Sequence, residues 1–118
     1  MSCILVIDDD KSICFLIHAF LTKMGYQVEV AHDGEEGIKT FDRGRNFDLV
    51  ITDIRMPKMN GTDVARHIRG SDRSSTPIVA ITGFSDTAMR EGYFDSLLKK
   101  PFDLDALENT VTSLLENF

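Results

Sequence analysis

Short apolar runs alternate along the whole chain with stretches in which apolar residues recur every three or four positions. Cys3–Ile7 (CILVI) is continuously apolar and rich in branched residues, the pattern of a strand buried on both faces. Ile13, Leu16, Ile17, Phe20 and Met24 follow at helical spacing, and Gly25 stops that helix. Gln27–Ala31 (QVEVA) alternates polar and apolar residues, as a less buried strand does. Asp33 is placed to cap a short helix that carries Ile38 and Phe41 and ends near Gly44. Leu49–Thr52 predicts a third strand, and Met56 to Gly61 a loop rich in turn-forming residues. Val64, Ala65 and Ile68 mark a third helix, followed by a polar loop from Gly70 to Thr76. Ile78–Ile81 predicts a fourth strand, Ser85–Tyr93 a weakly patterned fourth helix, and Leu97–Lys99 a short fifth strand cut off by Pro101. Leu104, Leu107, Val111, Leu114 and Leu115 form the buried stripe of a fifth helix, with Asp103 at its capping position.

Strands alternating with helices in this way predict an α/β fold: a doubly wound, five-stranded parallel sheet covered by helices on both faces. Right-handed crossovers leave few topologies, of which the flavodoxin-like order 2-1-3-4-5 suits five βα units of this length. At 118 residues, with no linker or repeat, residues 1–118 are expected to form one domain with a sufficient core. Thirteen basic against nineteen acidic residues give a net charge of −6, which offers no electrostatic footprint for nucleic acid or an anionic membrane. The longest apolar stretch, Ile13–Ile17, is too short to span a bilayer, and no secretion signal is visible after Met1. Cys3 and Cys14 share no metal-ligand spacing and read as buried, reduced thiols of a cytoplasmic protein. His18, His32 and His67 fall in three different elements and read as ordinary helix and loop residues.

Candidate chemistry collects at the strand ends. In open α/β sheets, ligands bind beyond the carboxyl ends of the strands. Those ends carry Asp8, Asp9 and Asp10 after strand one, Asp53 after strand three, Thr82 after strand four and Lys100 after strand five. Each has an ordinary reading: Asp10 as a helix cap, Asp53 as a loop acid, Thr82 as a hydroxyl bonded to backbone, Lys100 as a surface lysine. Capping explains one acid but not two more directly before it, nor a fourth at the end of the neighbouring strand. Asp8, Asp9 and Asp53 against Lys100 leave two net negative charges in one crevice. At about 4 Å and an effective dielectric near 20, each like-charge contact costs on the order of 4 kcal/mol. Such a site calls for a divalent cation or for shifted carboxylate pKa values. All-oxygen ligands indicate Mg²⁺, which neutralises the crevice and admits a phosphoryl group. Lys100 and the Thr82 hydroxyl can then meet phosphoryl oxygens, leaving Asp53 as a carboxylate nucleophile able to form an acyl phosphate.

The acidic pair Asp8-Asp9, the run Asp53-Ile54-Arg55-Met56-Pro57-Lys58-Met59-Asn60-Gly61, Ile81-Thr82-Gly83 and Lys100-Pro101-Phe102 occur in this order at strand ends. Together they resemble the receiver domain of two-component response regulators, the family that includes the stand-alone chemotaxis regulator, over the whole chain. The resemblance implies a phosphorelay switch rather than an enzyme, with Asp53 as phosphoacceptor from a phosphohistidine on a sensor kinase. It implies Mg²⁺ bound directly by Asp9, by Asp8 largely through water, by Asp53 and by the backbone carbonyl of Arg55. Thr82 and Lys100 would contact the phosphoryl group, with a cis peptide before Pro101. Phosphorylation would draw Thr82 inward and switch the face of the fourth helix, fifth strand and fifth helix toward an output partner. The domain would act as a monomer or a phosphorylation-dependent dimer, and would catalyse its own phosphorylation from small donors and its own dephosphorylation. The kinase, the output partner and any longer parent protein are left open.

Three positions depart from the family pattern. The switch position three before Lys100, usually Tyr or Phe, is Leu97, which has neither hydroxyl nor ring to rotate inward. Tyr93-Phe94 stand where the family often has Gly-Ala, and burial preference favours core over a partner surface. Arg55 and Phe84, two residues beyond Asp53 and Thr82, are expected near the pocket mouth, where they would limit water access. Two other readings compete. A degenerate receiver would work without phosphorylation. A haloacid-dehalogenase-type phosphatase would use Asp8 as nucleophile and Asp10 as acid/base, but leaves Asp53 and Lys100 less well explained.

Overall fold

A computed structural model describes residues 2–43, 46–83 and 92–116. Five strands, β1 (Cys3–Ile7), β2 (Gln27–Ala31), β3 (Leu49–Asp53), β4 (Ile78–Thr82) and β5 (Ser96–Lys99), form one parallel sheet in the order β2-β1-β3-β4-β5. Four helices are described: α1 (Lys11–Lys23), α2 (Gly34–Asp42), α3 (Gly61–Arg69) and α4 (Leu104–Leu115). The class and strand order are those expected from the pattern. The helix expected over Ser85–Tyr93 lies outside the described residues except for Gly92 and Tyr93, which are not helical. Gly44 and Phe84 lie outside them as well, and α4 is the element expected as the fifth helix.

The two-residue period of the strands divides the core. Leu5 and Ile7 of β1, Val50 of β3 and Ile78 and Ala80 of β4 face α2 and α3, where Phe41, Val64, Ala65 and Ile68 meet them. Ile4 and Val6, Leu49 and Ile51, Val79 and Ile81 face α1 and α4, against Ile17, Leu21, Leu107 and Val111. β1, β3 and β4 are buried along their whole length, whereas the edge strands β2 and β5 are half-exposed. Cys3 and Cys14 are both buried and free, as expected. Among the described residues no helix is long and apolar enough to cross a membrane.

Caps fix where the helices start. Asp10, Asp33 and Asp103 each accept backbone N–H bonds at the first turns of α1, α2 and α4, which are the capping roles their positions predict. Asn60 caps α3 in a reciprocal box with Asp63, a start signal hidden in what reads as a loop. Gly61 lets α3 begin against the end of β3: a Cβ there would lie 2.2 Å from the Asp53 carbonyl oxygen and 2.9 Å from Ile54 Cα.

Candidate functional site

The parallel register carries the strand-end residues into one crevice. Ile7 pairs with Thr52 across β1 and β3, so the residues that follow them, Asp8 and Asp53, stand side by side. Asp53 pairs with Ile81, and Thr82 with Lys99, which brings Thr82 and Lys100 to the same edge. The Lys100 N–H donates to the Thr82 carbonyl at 2.7 Å, and the Lys100–Pro101 peptide is cis, as the resemblance implies.

Asp8 is completely buried. Its Oδ1 accepts the Asp10 N–H at 2.9 Å, while Oδ2 has no hydrogen-bond partner among the described residues. The Lys100 ammonium lies 3.6 Å from Asp8 Oδ2 and 3.5 Å from Asp53 Oδ2, so one lysine serves two buried acids. Asp9, by contrast, is exposed. Carboxylate oxygens of Asp8, Asp9 and Asp53 all lie within 4.8 Å of one another. Burial pushes the Asp8 pKa up to about 6, with the neighbouring Asp53 adding to the rise and Lys100 opposing it. Burial also raises the Asp53 pKa, against the pull of Lys100 and a hydrogen bond from the Arg55 N–H. A buried carboxylate oxygen without a donor, facing two further acids and held by a single distant ammonium, lacks positive charge. A hard divalent cation supplies it, so the residues present fit Mg²⁺.

The backbone around these acids is braced. The buried Cys14 thiol donates to the Asp8 carbonyl at 3.2 Å, and the Thr52 hydroxyl donates to the Asp53 carbonyl at 3.0 Å. The Ile54 N–H donates to Ile81 at 3.0 Å, which ties the loop after Asp53 to β4. Lys58 in that loop takes a left-handed φ of 69°. Asp10, whose Oδ1 accepts from Ser12 and Ile13, is committed to the cap and stands apart from the acid cluster. That occupation argues against an acid/base role for it. Cys14 reads from the sequence only as a buried thiol, because nothing in one sequence says which carbonyl a core thiol will meet.

Arg55 is exposed, and Thr82 is buried at the end of β4. Leu97 is not among the residues that contact the acids in the described hydrogen bonds and ion pairs. It pairs with Ala80 and packs half-buried on the α3 side of the sheet, with Tyr93 and the buried Phe94. Phe94 is core, as burial preference suggests. Tyr93 is half-buried beneath Arg66, whose guanidinium lies 5.7 Å from its ring centre.

Known proteins show the same arrangement of sequence and fold. A family model described as the response regulator receiver domain matches residues 4–112. The chain belongs to this family. Receiver domains of two-component systems act in phosphorelay signalling and bind Mg²⁺ in an acidic pocket. The transcriptional regulatory protein ZraR of Klebsiella oxytoca is 38% identical over 117 residues, covering 95% of this chain and 26% of that protein. An uncharacterized transcriptional regulatory protein of Bacillus subtilis, YcbL, is 36% identical over 115 residues, covering 94% of this chain and 50% of that one. This receiver chain thus spans half or less of the length of these curated relatives. Among solved structures, the chemotaxis protein CheY4 of Vibrio cholerae superposes with a TM-score of 0.90 at 30% identity, covering 98% of this chain and 99% of that one. The response regulator TrrA of Thermotoga maritima, solved in complex with Mg²⁺ and BeF, matches with a TM-score of 0.88 at 37% identity, covering 98% and 100%.

Proposed function

We propose that this receiver domain accepts a phosphoryl group on Asp53 from a phosphohistidine of a sensor kinase, and that this event switches its binding to an output partner. The observation that carries the reading is the charge-starved cluster itself: Asp8, Asp9 and Asp53 within 4.8 Å, with Lys100 3.5 to 3.6 Å from the two buried acids. The Thermotoga relative, solved with a divalent cation and a phosphoryl-like fluoride, supports it.

Asp8, Asp9, Asp53 and the backbone carbonyl of Arg55 would hold Mg²⁺. When bound, the ion neutralises charge on the transferring group and on the acids around it. The other steps belong to the chain's own residues. A carboxylate oxygen of Asp53 attacks phosphorus as the P–N bond to the donor imidazole breaks, and the nitrogen leaves with that electron pair. Lys100 meets one phosphoryl oxygen and the Thr82 hydroxyl donates to another. Hydrolysis of the acyl phosphate by water returns the carboxylate. Arg55 stands at the mouth and limits that water's access. Reaching the phosphoryl group draws Thr82 inward, and this biases two conformations of the face formed by the predicted fourth helix, β5 and α4. Leu97 replaces the usual ring on that face, so the inward step is a shift in aliphatic packing. The whole unit, residues 1–118, works in the cytoplasm as monomer or phosphorylation-dependent dimer.

Intact mass after incubation with phosphoramidate or acetyl phosphate tests this. One added phosphoryl group is expected with Mg²⁺, none with excess chelator, and none in Asp53→Asn. Lys100→Ala is expected to slow the gain about 100-fold. No gain in the folded wild-type chain would favour a receiver that works without phosphorylation, and a gain that survives Asp53→Asn would move the nucleophile to Asp8.

A further inference from the structure

The segment that presents Lys100 repeats residue classes at three neighbouring pairs, so a shift of one residue would leave three of its positions alike. Tyr93-Phe94, Leu97-Leu98 and Lys99-Lys100 each repeat a residue class. Moving the segment forward by one position therefore replaces an aromatic with an aromatic, a leucine with a leucine and Lys100 with Lys99. The hydrophobic pattern that usually sets a strand's register is weak here: the shift keeps a leucine at the buried place of Leu98, and is opposed only by Ser96 entering the half-buried place of Leu97 and Leu98 the exposed place of Lys99. β5 is also a four-residue edge strand paired to β4 alone, and Pro101 lies beyond its last paired residue.

Asp95 and Ser96 break the degeneracy, and Asp95 is the residue that is held. Its N–H donates to the Ile78 carbonyl at 2.8 Å, and its Oδ2 accepts the Ile78 N–H at 2.8 Å. The same oxygen accepts from Arg69 Nη2 at 2.8 Å. Arg69, at the end of α3, also donates through Nε and Nη2 to the Tyr93 carbonyl at 3.0 and 2.8 Å. Its Nη1 donates to the Ser74 and Thr76 carbonyls, both at 2.7 Å. A planar guanidinium fixed in this way permits one position of the chain, and a shift by one would offer it Phe94 or Ser96, neither of which carries a carboxylate. We propose that Asp95, held by Arg69, pins the register of β5 on β4 and thereby selects Lys100 rather than Lys99 as the lysine of the acidic pocket. Both are positioning residues. The consequence for Lys100 rests on the proposed phosphoacceptor function, whereas the pin itself does not.

The test combines contacts with chemistry. In the parent chain, NMR is expected to show cross-strand contacts from Ala80 to Leu97. Phosphorylation by phosphoramidate should fall about 100-fold in Lys100→Ala and stay within about twofold in Lys99→Ala. In Asp95→Ala a second set of contacts, Ala80 to Ser96, should appear and phosphorylation should slow about tenfold. In that background Lys100→Ala should cost less than about tenfold and Lys99→Ala should cost several-fold, a non-additivity that loss of stability alone does not produce. Asp95→Asn keeps an acceptor for Ile78 and should restore the parent contacts. Native contacts together with undiminished dependence on Lys100 in Asp95→Ala would overturn the proposal. Should Asp95→Ala not fold, Arg69→Met is read by the same two measurements, and the same pair of native results overturns it there. If Lys100→Ala is silent in the parent, the phosphoacceptor reading loses its lysine, while the β4–β5 contacts still decide the pin.

Discussion

Asp8 sits in the least comfortable position of any acid in the described chain. Its folded pKa of about 6 exceeds the ordinary 3.8, so the folded state binds the proton more tightly than the unfolded state does. Stability therefore falls as pH rises between 3.8 and about 6, and the penalty is complete above that window. The size of the shift corresponds to roughly 3 kcal/mol at neutral pH. Asp8→Asn keeps the acceptor for the Asp10 N–H and removes the charge, so it should stabilise the Mg²⁺-free protein by about 1–3 kcal/mol at pH 7. Urea unfolding at pH 7 and at pH 4 checks this, and the gain should largely vanish at the lower pH. The same variant should lose Mg²⁺ binding, because the orphaned Oδ2 is what a cation would satisfy.

The elements differ in how plainly the sequence encodes them. Buried strands announced themselves because β1, β3 and β4 are apolar on both faces, and the acids at their ends followed from parallel topology. The first turn of α3 did not, since Asn60 and Asp63 look like loop residues until their reciprocal hydrogen bonds are seen. The clamp of Arg69 on Asp95 was equally hidden, because it joins residues 26 apart by a contact that no periodicity encodes. Cys14 met the Asp8 carbonyl for reasons of packing alone. Glycines in α3 and just after it give a controlled comparison. Gly61→Ala would press a Cβ to 2.2 Å from the Asp53 carbonyl oxygen and should cost about 2–4 kcal/mol, displacing Asp53 as α3 backs away. Gly70→Ala meets nothing closer than 3.6 Å and should change stability by less than about 1 kcal/mol. Denaturant midpoints for the two variants, compared with their phosphorylation rates, test whether close approach at Gly61 sets the site.

At the scale of the whole molecule, the proposed Mg²⁺ site would couple the ion to the stability of the sheet. An ion that binds only the folded chain at ten times its dissociation constant adds about 1.4 kcal/mol, a rise of roughly 4–8 °C in the melting midpoint for a domain of this size. Thermal melts with and without Mg²⁺ should show that rise in the wild-type chain and lose it in Asp8→Asn. The clustered acids reside at positions 8, 9 and 53, and the hydroxyl and ammonium proposed to meet a phosphoryl group at 82 and 100, on the other side of the α3–β4 loop. That division acquires a meaning in time as the protein is made. A nascent chain that has emerged as far as β3 already carries Asp8, Asp9 and Asp53, yet lacks the lysine that offsets their repulsion. On the proposed roles, it becomes competent to receive a signal only after Lys100 clears the ribosome and the last strand docks, so no unfinished copy can answer its kinase.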